Sequence, residues 1–145
     1  MSKFILTKES ARLILLQRIQ FSGLLQKKIR KFFGRYLFTN FIAKFFINTN
    51  TLSKKYHESM ISEFETIKKY LNQKDQQYLS IGGGLGGLEL IIDKNFKDKN
   101  YYFIEKNYIS KKIIYGWDIK NKEGYNNLKL LNFFLTNNGM NPSKI

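Results

Sequence analysis

The chain contains no cysteine and a single histidine, His57. Disulfides and thiolate metal sites are thereby excluded, and no histidine cluster can be assembled. His57 falls near the start of a helical pattern, where a solvated side chain is expected rather than a catalytic one. Long apolar runs are also missing, because Arg18, Arg35 and Lys44 break up the richest regions, so a spanning helix is not expected. "LILLQRIQFSGLL" carries polar residues where the apolar core of a signal peptide would run, and no small-residue cleavage site follows. A cytoplasmic location is the expectation.

Acidic residues are scarce, above all at the front of the chain. Lys and Arg number 25 against 11 Asp and Glu, a net charge of +14. Residues 1–60 hold 12 of these cations against 2 acids, and residues 61–145 hold 13 against 9. The basicity therefore belongs to the first part, which invites a nucleic-acid or anionic-membrane reading. Lys, Asn, Ile, Phe and Tyr are abundant throughout, as coding bias also produces, and no specific nucleic-acid partner is expected. With 145 residues there is room for one ordinary domain.

Between Ser22 and Leu37, apolar residues recur at helical spacing through Leu25, Ile29, Phe32, Phe33 and Tyr36, with Lys27, Arg30, Lys31 and Arg35 on the other side. Such a helix can cap the following domain, lie on an anionic membrane surface, or meet nucleic acid. "FFINTNT", 45–51, reads as a break. A second helical pattern over 53–72, with Met60, Ile61, Phe64, Ile67 and Leu71 on one stripe, is expected to pack on a sheet edge. "YLSI" begins a strand, "LELIIDK" forms a short helix, and "YYFIE", 101–105, reads as a second buried strand ending on an acid. This order is the crossover unit of a parallel sheet. A short strand is expected around Ile113 to Tyr115, then an amphipathic helix through Leu128, Leu131, Phe134 and Leu135, ended by "NNG". "MNPSKI" is read as the start of a third strand. The expected fold class is thus α/β, an incomplete Rossmann-like parallel sheet of two to three strands preceded by amphipathic helices. Residues 1–52 form a basic helical extension and 53–145 the N-terminal portion of the sheet domain.

The densest signal is "YLSIGGGLGGLEL", 78–90, which places five of the ten glycines within six positions behind a strand. In doubly wound folds such a turn lets a nucleotide-like ligand lie across the strand ends, because glycines remove Cβ atoms that would collide with it. Glu105, 19 residues beyond Gly86, stands at the separation expected for an acid that accepts hydrogen bonds from ribose hydroxyls. A turn packed tightly on a helix, with no ligand, would need glycines too. Read as Gly82-x-Gly84-x-x-Gly87 the stretch fits a dinucleotide site for FAD or NAD. The same stretch also carries a second spacing, Gly82-x-Gly84-x-Gly86. A basic adaptor without enzymatic activity is the third class the composition allows.

The second spacing resembles motif I of the class I S-adenosylmethionine-dependent methyltransferases. The tail "GWDIKNKEGYNNLKLLNFFLTNNGMN" is similar to the segment after the second strand in sugar O-methyltransferases, so the resemblance covers roughly residues 60–145. It implies that Ser80, Gly82, Gly83, Gly84, Gly86 and Glu105 line the cofactor, the glycines beside its methionine and ribose portions and Glu105 on the ribose hydroxyls. Lys106, Asn107 or Tyr108 would flank the adenine. Most family members carry Asp or Glu where this chain has Ser80. The implied activity is methyl transfer from S-adenosylmethionine to a hydroxyl of a sugar or related small molecule. The family's acceptor-binding residues lie mostly beyond a third strand, so no catalytic base is named, and the chain is expected to hold part of a cofactor site.

Overall fold

The computed structural model describes residues 3–21, 41–42, 45–110 and 126–145. Thr7 opens the first helix, α1 (Lys8–Gln17), its Oγ1 accepting the Ser10 N–H at 3.1 Å and so satisfying one of the free donors of the first turn. Ala11, Leu13, Ile14 and Leu16 are buried. Asn48 does the same for α2 (Thr49–Ile67), accepting the Thr51 N–H at 3.0 Å. The Asn and Thr residues read as a break are therefore the cap and first turn of α2, which begins ahead of the expected Ser53. Its regular helix ends at Ile67 and tightens into a 3-10 turn over Lys68–Tyr70. The buried stripe Leu52, Tyr56, Met60 and Phe64 faces helices rather than a sheet edge as expected, with α3 (Gly87–Asn95) as the main partner and α1 beside it. Large rings at i, i+4 spacing fill the groove of a neighbouring helix, and Phe64 meets Phe96 just past the end of α3 at 6.0 Å between centroids.

His57 departs from expectation. Its side chain is buried, edge-on to Phe4 at 4.8 Å, with no hydrogen-bond partner for Nε2. Burial, with Lys94 nearby, lowers its pKa and favours the neutral ring. The helical stripe one turn beyond Leu52 and Ser53 carries it inward, and a position count alone did not separate it from the solvated side.

The sheet consists of β1 (Gln77–Ile81) and β2 (Asn100–Ile104), parallel and in register from Gln77 opposite Asn100 to Ile81 opposite Ile104. Helix α3 carries the chain between them. At the entrance of β1, the buried Lys99 donates from Nζ to the carbonyls of Asn72 and Asp75, which pins the preceding loop to the start of β2. Side chains alternate across the pair. Ser80 and Tyr101 point into the core, whereas Leu79, Ile81, Tyr102 and Ile104 are each more than half exposed. β2 is thus buried on one face only, where burial of the whole strand was expected.

Helix α4 (Leu128–Asn137) buries Leu131, Phe134 and Leu135 in the same core as α1 to α3. Its end follows the expected glycine signal. Gly139 takes φ +97°, and the Met140 N–H returns to the Leu135 carbonyl at 3.1 Å. Asn138 then bonds the backbone of Ile5 through both side-chain atoms, at 2.7 and 3.1 Å. "MNPSKI" does not form a third strand. Asn141 caps a 3-10 turn over Pro142–Lys144, where the proline ring fixes a helical φ, and Lys144 pairs with Asp93 of α3 at 2.7 Å. The expected helix at 22–37 and strand at 113–115 lie outside the described residues. The fold is mixed α/β, with four α-helices and a two-stranded parallel sheet among the described residues. No helix among them is long and apolar enough to cross a membrane.

The alternation across β2 gives a stability test. Tyr101 is 1% exposed and Tyr102 53%. Tyr101→Ala should cost roughly 3–5 kcal/mol in urea unfolding, and Tyr102→Ala within about 0.5 kcal/mol of nothing. The buried Tyr101 hydroxyl has no hydrogen-bond partner, so Tyr101→Phe should be at least as stable as the parent. Equal costs for the two alanine variants would show that the face assignment is wrong.

Candidate functional site

The glycine turn sits at the carboxyl end of the parallel pair, the edge at which open α/β sheets bind ligands. The ladder continues one step past β1, with the Gly82 N–H donating to the Ile104 carbonyl at 3.0 Å. Gly82 then takes φ +67°, a left-handed conformation that costs a residue with Cβ about 1–2 kcal/mol. Gly86 caps α3 at φ +79° without any side-chain cap. Between them Leu85, fully buried, plants the loop in the core.

Most of the missing side chains are missing because the protein itself occupies their space. A Cβ on Gly83 would collide with Ser80 Oγ, and one on Gly87 would lie 2.5 Å from the Tyr56 hydroxyl. On Gly84 it would stand 2.6 Å from Gln17 Oε1, and on Gly86 2.7 Å from a Leu135 methyl. Only at Gly82 does it meet nothing within 4 Å. Four of the five glycines therefore admit α1, α2, α4 and the Ser80 side chain, and one faces open space.

Beneath the turn Ser80 Oγ donates to Glu89 Oε1 at 2.5 Å. Glu89 stands in the first turn of α3, is 2% exposed, and its Oε2 has no partner. Desolvation pushes its pKa up, the Ser80 hydrogen bond opposes this, and the charge of Glu105 adds to the rise. Tyr56 closes the same end of α3, its hydroxyl against Gly87, and burial pushes its pKa upward so that the phenol stays neutral. Arg18 lies over the Tyr56 ring at 5.8 Å, but its guanidinium is held by both oxygens of Glu63.

Across the turn, Glu105 Oε1 accepts the Gly84 N–H at 2.6 Å. The buried Asn126 donates from Nδ2 to the Gly84 carbonyl at 2.7 Å. The backbone on both sides of the Gly84 Cα is thus clamped by the residue after β2 and by the residue before the cap of α4. Asn127 caps α4 through the Leu130 N–H at 3.1 Å, and Asn107 accepts the Leu128 N–H at 2.9 Å.

The structure therefore brings Gly82, Gly83, Gly84, Gly86 and Glu105 together, with Ser80 under the turn rather than on its open side. Asn107 is engaged with α4, and Lys106 and Tyr108 are exposed. Residue-by-residue reading missed Asn126, Tyr56 and Glu89. The Asn-Asn pair ahead of an apolar helix was the only signal for the first, and nothing distinguished the other two from helix residues. A separate cleft of about 370 Å³ lies between α1 and α4, with Glu9, Arg12, Asn127 and Lys129 on its walls, and holds none of the anticipated site residues.

Glu89 sets a pH dependence. The folded state raises its pKa, so the fold holds the proton more tightly than the unfolded chain. Its contribution is then fully favourable below the unfolded value of about 4.3 and declines as pH rises toward and through the folded value. Glu89→Gln keeps an acceptor for Ser80 and has no charge to bury. Its melting temperature relative to the parent should climb steadily from about pH 4 upward. Parallel curves for the two proteins would remove Glu89 as a titrating group.

Compared with known proteins, the chain matches no family model, no curated protein and no solved structure.

Proposed function

We propose that the chain is a Rossmann-like S-adenosylmethionine-dependent methyltransferase of the cytoplasm, acting on a hydroxyl of a sugar or related small molecule. The observation that carries this reading is the approach of Glu105 to the glycine turn. Its carboxylate leaves the end of β2, reaches the Gly84 N–H at 2.6 Å and borders the turn that follows β1. An acid in that place can accept both hydroxyls of a ribose.

The residues present fit a cationic cofactor better than a pyrophosphate. Gly82 offers the open approach. The first turn of α3, where a pyrophosphate would dock on free N–H groups, instead has the Tyr56 hydroxyl packed against Gly87 and the Glu89 carboxyl in its midst. Two acids flank the turn, and the guanidinium nearest Tyr56 is held by Glu63. An anion entering there meets the Glu105 carboxylate, whereas a sulfonium or ammonium is favoured by it. Gly82, Gly83, Gly84 and Gly86 would shape the cradle and Glu105 would hold the ribose, while Ser80 and Glu89 support the turn from below. The cofactor supplies an electrophilic methyl group. The chain's contribution is alignment of the acceptor oxygen with it, since such a transfer depends chiefly on positioning.

Calorimetry with S-adenosylhomocysteine tests the assignment on the full chain. Binding is expected, while FAD and NADH should give no heat. Glu105→Gln retains an acceptor for the Gly84 N–H but weakens a charge-assisted bond worth about 1.5–3 kcal/mol, so affinity should fall by roughly tenfold or more when measured where circular dichroism shows the variant folded. Binding of FAD or NADH in place of S-adenosylhomocysteine, or unchanged affinity in the folded variant, would sink the reading.

A further inference from the structure

The helical turn that leads into α2 sorts its apolar side chains into two sets. The Phe46 N–H donates to the Ile42 carbonyl at 2.9 Å, the i to i−4 bond of an α-helix. Ile42 and Ile47 pack against the core, and Asn48 immediately caps α2, so the turn is anchored on both sides. Phe41, Phe45 and Phe46 project the other way. They are 53%, 62% and 66% exposed, with the Phe41 ring 5.3 Å from Phe45 and 5.7 Å from Phe46. Single exposed apolar residues are ordinary on protein surfaces, but three large rings held together on a fixed support mark a contact surface.

Charge selects the occupant. Residues 22–47 contain Lys27, Lys28, Arg30, Lys31, Arg35 and Lys44, with no Asp or Glu. The partner is therefore anionic and also offers an apolar phase deep enough for phenyl rings. Nucleic acid supplies the charge, but base stacking needs a flat aromatic platform, and these rings are tilted at 54° and 49° to one another. An anionic lipid surface supplies both the charge and the hydrocarbon. We infer that Phe41, Phe45 and Phe46 form a wedge that enters the interfacial zone of an anionic membrane, drawn there by the positive charge that the sequence carries between residues 22 and 47. The contact stands apart from the glycine turn and does not depend on the cofactor proposed there.

Co-sedimentation of the full chain with phosphatidylcholine vesicles, with and without phosphatidylglycerol, tests the wedge. Binding is expected only with the anionic lipid and should weaken at high salt. The double variant Phe45→Ser/Phe46→Ser should lower the partition coefficient by roughly tenfold or more, with an unchanged circular dichroism spectrum because both side chains are exposed. A second measurement places a reporter in the wedge. In Trp117→Phe/Phe46→Trp the emission should shift to the blue on adding anionic vesicles. Equal partitioning of the parent and the double variant, or no blue shift, would overturn the inference. A blue shift produced by single-stranded RNA but not by vesicles would overturn it in favour of nucleic acid.

Discussion

The backbone of Gly84 is the point at which the structure is tied together. Its N–H is held by Glu105 and its carbonyl by Asn126, so the turn after β1, the end of β2 and the approach to α4 are fixed to one another by two hydrogen bonds of 2.6 and 2.7 Å. Both are partly shielded from water, and one involves a carboxylate, which makes them stronger than exposed neutral bonds. The remainder of the carboxyl edge follows from this clamp. Gly86 must turn into α3 at positive φ, Leu85 is driven into the core, and Leu135 of α4 comes to rest where a Gly86 side chain would be.

Electrostatics at the same edge is unusual for a chain so basic. Of the 25 cations, the one lying over Tyr56 is held by Glu63, while the turn itself has Glu89 below and Glu105 beside it. Here the strand supplies a hydroxyl, and a carboxyl from the first turn of α3 comes to meet it at 2.5 Å. Ser80 and Glu89, nine positions apart, thus support the turn together, at the cost of burying a group that resists ionisation.

What the sequence revealed and what it concealed divide along physical lines. Local signals were legible: the two strands, the glycine turn, the short helix behind it, the acid at the end of β2 and the glycine end of α4 all follow from periodicity and turn chemistry. The reason for the glycines was not. Gln17, Tyr56 and Leu135, which fill the spaces left by Gly84, Gly87 and Gly86, come from three other helices, and no spacing within residues 78–90 announces them. The same limitation hid α1, whose Thr7 cap becomes informative only once Leu13, Ile14 and Leu16 have a core to enter. It also misplaced His57, because the side of α2 that is buried is set by α1 and α3. In the 3-10 turn at Pro142, local chemistry did carry the answer, since proline and the Asn141 cap oppose a strand.

Helix α2 links the two surfaces. At its start Asn48 fixes the turn that carries Phe45 and Phe46, and two turns later Tyr56 packs against Gly87 under the glycine turn. At 1.5 Å per residue these points lie about 12 Å apart along the helix axis. Met60 and Phe64 then hold α3 along the rest of α2. A rigid helix packed along one side cannot let the two ends move independently, so a chain seated through its phenylalanines would hold the open side of Gly82 at a fixed height above the lipid. For the methyl transfer and the membrane contact proposed above, the acceptor hydroxyl would then come from a narrow layer near the membrane surface, a restriction that neither surface would impose alone.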